Sequence, residues 1–122
     1  MQGLSESWIR TWYEVVSQDW NTYEEWEEKY GPEADKDAYV KMLFVVNRFN
    51  NIGLLSRENA IDADLLYNIY LPSSIMRTWK RVEPLVLERR KHVNDPDMFG
   101  AFEYLYLETK KKYPDINYGY PI

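Results

Sequence analysis

Apolar residues in this chain recur at spacings of three and four, and no alternating run is long enough to make a strand. In the first segment Ile9, Trp12, Val16, Tyr23, Trp26 and Tyr30 keep that spacing, interrupted only by Asp19. Such a stripe is one face of a helix. Ser5 is suited to cap its start, and Gly31-Pro32 stops it. Thr22 and Glu25 have the spacing of a capping box, so residues 5–30 read either as one long helix or as two. Tyr39, Met42, Leu43, Val46, Phe49 and Leu54 line a second helix over 35–56. Gly53 lies inside it at a cost of about 1 kcal/mol relative to alanine, which is usually kept for close approach of another helix.

The turn after it contains Asn59, a residue able to take positive φ. Asp62 caps a short helix over 62–71, with Ile61 and Leu66 at hydrophobic-staple positions. Pro72 suits the first turn of a helix over 72–93 that carries Ile75, Met76, Trp79, Val82 and Val86 and has Pro84 inside it. Asp95-Pro96-Asp97 opens a last helix over 96–113, and Pro114 ends it before an extended tail over 114–122. The expectation is an all-α fold: a single domain over 1–122, built as a compact antiparallel bundle of about five helices with a short C-terminal tail.

The middle of the chain resembles a known family. Phe49-Asn50-Asn51-Ile52-Gly53-Leu54-Leu55 is followed by Ala60-Ile61-Asp62 and Leu65-Leu66-Tyr67. Trp79 with Pro84, Arg89-Arg90 and Phe102-Glu103-Tyr104-Leu105 come after. This order is similar to the domain of unknown function family numbered 4760, with its "FFN-x-IGLL" helix end, "G-x-ID" turn, tryptophan helix with "P-x-I" and arginines, and closing "F-E-x-L". The resemblance covers roughly residues 39–107. It implies an all-α fold and brings no activity and no catalytic residues. Asn59-Ala60 departs from it, standing where a glycine turn is common. Its members often carry an N-terminal membrane segment, and no run in residues 1–122 is apolar enough for one.

Composition removes several chemistries. With no cysteine there is no disulfide, thiolate metal site or cysteine nucleophile, and His92 is the only histidine. No cofactor or metal is expected, and enzyme activity is disfavoured. The start has neither a basic region nor an apolar core, so no signal peptide is expected and the location expected is cytoplasmic. Asp62-Ala63-Asp64 opens like a calcium loop but then lacks its glycine and closing glutamate. Glu24, Glu25, Glu27 and Glu28 have no Glu-x-x-His to complete a di-iron set.

Two surfaces remain. Trp8, Trp12 and Trp20 lie four or eight apart beside the Ile9 stripe and widen the apolar sector of the first helix. A wide sector often continues into a partner, so these three form the candidate interaction face, with the chain itself or another protein as partner. Arg77, Lys80, Arg81, Arg89, Arg90 and Lys91 form the candidate anion-binding face. Net charge is −5, with −7 in residues 1–37 and +2 in the rest, which argues against nucleic-acid binding. The leading expectation is therefore a non-enzymatic interaction or self-associating module with no small-molecule substrate. A regulator binding nucleic acid or another anion through Arg77–Lys91, and an enzyme with an unrecognised carboxylate site, are the alternatives.

Overall fold

The computed structural model describes residues 5–119. Within them lie six helices: α1 (Glu6–Val16), α2 (Tyr23–Tyr30), α3 (Lys36–Arg57), α4 (Ala63–Ile69), α5 (Pro72–His92) and α6 (Gly100–Lys112). No strand occurs among the described residues. The all-α expectation holds, with one helix more than the sequence suggested.

The added helix comes from the first segment. Ser5 accepts from the Trp8 N–H at 3.1 Å and starts α1, which ends at Val16. Residues 17–22 turn the chain. The Arg81 guanidinium on α5 donates to the carbonyls of Gln18 and Trp20 and lies 3.9 Å from the Trp20 ring centroid. These contacts hold the break open, because both carbonyls find a partner outside a helix. Thr22 then caps α2 by accepting from the Glu25 N–H at 3.1 Å. The Glu25 carboxylate accepts from the Asn21 N–H, one residue before the reciprocal capping-box position.

The core is aromatic and centred on α3, α5 and α6. Phe49 stacks on Phe102 with ring centroids 5.1 Å apart, and Trp79 meets Phe102 edge-on at the same distance. Offset and edge-on pairs of this kind are the favoured aromatic geometries. Helices α3 and α6 meet backbone to backbone at Gly53, where an added Cβ would lie 2.6 Å from the Ala101 carbonyl carbon. That contact is the reason for glycine in mid-helix. Asn59 takes φ 56°, so asparagine supplies the left-handed turn residue. Helix α5 runs on through Pro84, although that residue has no N–H to give to the preceding turn.

The last helix starts later than expected, at Gly100 and not near residue 96. The Asp95 carboxylate accepts from the Asp97 N–H at 3.1 Å and folds residues 95–99 into a turn. Phe99 follows with φ 55°, a left-handed conformation that costs a bulky L-residue about 1–2 kcal/mol. Its side chain packs against the core, which offsets that cost. The described part of the tail turns at Pro114-Asp115 and then sets Ile116 and Tyr118 against the core. Residues 120–122 of the expected extended tail lie outside the described residues.

Candidate functional site

Helix α1 is amphipathic with too much apolar surface for one contact. Trp8 and Val15 are buried, while Ile9 and Tyr13, one turn apart, are 46% and 53% exposed. They form one wall of a cleft with Trp12. The opposite wall is Leu71, the residue before α5, with Ser74 and Arg77 of its first two turns. Trp8, Phe49 and Tyr70 make the floor, and the cavity volume is about 310 Å³. That is the low end of the range for ligand-sized sites, and the lining is of their usual kind, apolar and aromatic with a few polar groups.

The walls are pinned. The Trp12 indole N–H donates to Thr78 Oγ1 at 2.7 Å, and the Thr78 hydroxyl donates to the Ser74 carbonyl at 2.6 Å. This relay ties the α1 wall to the α5 wall and satisfies a buried threonine. Two floor residues are held by Arg48, which does not itself line the cleft: its Nε donates to the Tyr70 hydroxyl at 2.8 Å, and its guanidinium lies 4.6 Å from the Trp8 ring centroid. The cleft is thus rigid at its base and apolar at its rim. Among the described residues no Asp, Glu, His or Lys lines it, and Arg77 is the one charged residue of its lining.

A larger bay of about 660 Å³ opens beside the start of α6. Three of its polar side chains, Asn50, Arg90 and Glu103, are engaged in holding the fold, while Arg57, Asp97 and Tyr104 make no side-chain hydrogen bond or ion pair among the described residues. Asn50 Oδ1 accepts from the Phe102 N–H at 3.0 Å, so α3 caps α6. Arg90 donates to the Met98 carbonyl and to Glu103, both at 2.9 Å. Asn50, Arg90 and Glu103 thus brace the α3–α5–α6 junction.

The three tryptophans singled out in the sequence do not share one exposed face. Trp8 and Trp20 are 5% and 3% exposed, Trp20 in the 17–22 turn beneath Arg81. Trp12 is half-buried in the cleft wall. The cleft joins Trp8 and Trp12 to Ile9, Tyr13 and Leu71. The apolar sector of α1 is wide, as expected, but Trp8 belongs to its buried part, and its exposed part is Ile9 and Tyr13.

The six cations all lie on α5, and most are engaged within the chain. Lys80 pairs with Glu83 at 3.0 Å, Lys91 with Glu88 at 3.3 Å and Arg90 with Glu103 at 2.9 Å. Arg81 is spent on the 17–22 turn, and burial lowers its guanidinium pKa. Arg89 lies beside Tyr23 of α2, whose hydroxyl donates to Glu27 at 3.1 Å. Arg77 stands over the Trp12 ring at 5.8 Å with no hydrogen-bond or ion-pair partner among the described residues. His92 lies 3.9 Å from Glu88 and edge-on to Tyr23. Asp62 caps α4 by accepting from the N–H groups of Asp64 and Leu65. Among the described residues no three His, Asp or Glu side chains are grouped to hold a metal, and no helix is long and apolar enough to cross a membrane.

Comparison with known proteins places the chain by family. Neither the curated proteins nor the solved structures compared with the chain match it. The family model described as a domain of unknown function, DUF4760, matches residues 5–109, from the cap of α1 to the end of the α6 core, and so takes in the cleft as well as the Asn50–Gly53 and Phe102–Leu105 segments. The chain belongs to the DUF4760 family.

Proposed function

We propose that this protein is a non-enzymatic interaction module that receives apolar side chains of a protein partner, a second copy of itself or another protein, in the cleft between α1 and α5. The observation that carries this reading is the cleft itself. Ile9, Tyr13 and Leu71 stand exposed around a pinned aromatic floor. Aromatic-lined, partly desolvated pockets are where binding energy concentrates. Among the described residues the lining supplies no acid–base pair, which suits binding better than proton-transfer chemistry. The alternative of nucleic-acid or general anion binding through Arg77–Lys91 has less support, because most of those cations are engaged within the chain.

Tyr13→Glu tests the proposal, since Tyr13 is a rim residue and its replacement leaves the core intact. A photo-crosslinking residue at position 9, compared with and without Tyr13→Glu, reads both kinds of partner. Crosslinks to a second copy or to one defined protein that vanish in Tyr13→Glu are expected. Crosslinks unchanged by Tyr13→Glu, or none at all, remove the cleft as the docking site.

A further inference from the structure

Resting on the docking role of the cleft, we infer that the partner segment entering it carries a carboxylate beside a bulky apolar side chain, and that Arg77 is the counter-charge that selects it. Arg77 is the one charged residue lining the cleft and has no partner among the described residues. The two carboxylates of α1 are held elsewhere: Glu6 by Arg10 and Glu14 by Lys41, each at 2.7 Å. Among the described residues nothing on the cleft rim neutralises Arg77.

The consequence appears on binding. An apolar segment laid across Ile9, Trp12 and Leu71 removes water from the Arg77 guanidinium. A cation dewatered without an anion is strongly penalised, whereas one met by a carboxylate gains a paired, forked hydrogen bond. The cleft therefore favours an acidic–apolar segment over a purely apolar one, and it rejects a basic one. The Trp12 ring reinforces this by holding the guanidinium over its face within cation–π range.

The test is a random-peptide library displayed on phage and panned against the full chain. Binders are then measured on wild type, Arg77→Gln, Arg77→Lys, Tyr13→Glu and the cleft-filling Ser74→Trp. Melting temperatures of all four variants confirm that each is folded. The expected result is enrichment of Asp or Glu next to Trp, Phe or Leu, with affinity falling about tenfold in Arg77→Gln and partly restored in Arg77→Lys. Binders that lack acids and bind Arg77→Gln as tightly, yet are lost in Ser74→Trp, overturn the charge selection and leave the docking site standing. An absence of binders, or binders indifferent to both Tyr13→Glu and Ser74→Trp, overturns the docking role and this inference together.

Discussion

Gly53 of α3 faces the backbone of Ala101 on α6 so closely that a Cβ at residue 53 would lie 2.6 Å from the Ala101 carbonyl carbon and 3.2 Å from the Phe102 nitrogen. The clash is with backbone, which cannot rotate away. Gly53→Ala must push α6 off α3, although alanine is the better helix former. The expected loss is about 2 kcal/mol or more, read from urea unfolding. A variant as stable as wild type would show that the helices separate freely.

The same junction is capped across chains of contact and not along one. Asn50 supplies the acceptor that the first turn of α6 lacks, since Phe99 itself offers no side-chain cap. Asn50→Ala should cost about 1 kcal/mol. Asn50→Asp keeps the acceptor and should retain most of that stability, so the two variants together separate a capping role from simple packing.

Arg81 holds the turn that divides α1 from α2. Its guanidinium satisfies two carbonyls at once, which an ammonium on a flexible stem does poorly. Arg81→Lys should therefore lose about 2 kcal/mol, and Trp20 fluorescence should shift to the red as water reaches the ring. Equal stability for Arg and Lys at this position would assign the turn to packing alone.

Two tyrosines give the fold an alkaline limit. Burial raises the Tyr106 hydroxyl above its ordinary pKa of 10.0, against a smaller lowering by Lys80. Burial likewise raises Tyr23, with Arg89 opposing and Glu27 reinforcing. A raised folded pKa gives stability that is complete below the unfolded value of 10.0 and is lost as pH rises through the folded value. Urea midpoints should thus hold steady to about pH 9.5 and fall above it, and Tyr106→Phe should flatten the fall. A midpoint that rises across this interval would contradict the assignment.

Local signals were the legible ones. The Thr22–Glu25 cap and the positive φ at Asn59 were readable, because each depends on residues adjacent in the chain or on one residue's own sterics, whereas Gly53 signalled a close approach without naming Ala101 as its partner. What escaped reading were long-range hydrogen bonds. Asn50 reaches a residue 52 positions away, and Arg81 reaches back 61 to the Trp20 carbonyl. Asp95-Pro96-Asp97 has the composition of a helix start, yet the Asp95 side chain closes a turn and the left-handed Phe99 delays α6. The cleft was half-visible. Its signal was the width of the apolar sector on α1, but which residues turned inward depended on α1 stopping at Val16 and lying against α5.

The most direct measurement of the docking site is a two-dimensional NMR footprint of the partner, or of the best peptide ligand, on the isotopically labelled chain. The account predicts that the largest shifts fall on the Trp12 indole N–H, Tyr13, Ser74 and Arg77. Shifts centred instead on the Asn50–Glu103 bay, or on Lys80 and Lys91 with the Trp12 signal unmoved, would contradict it.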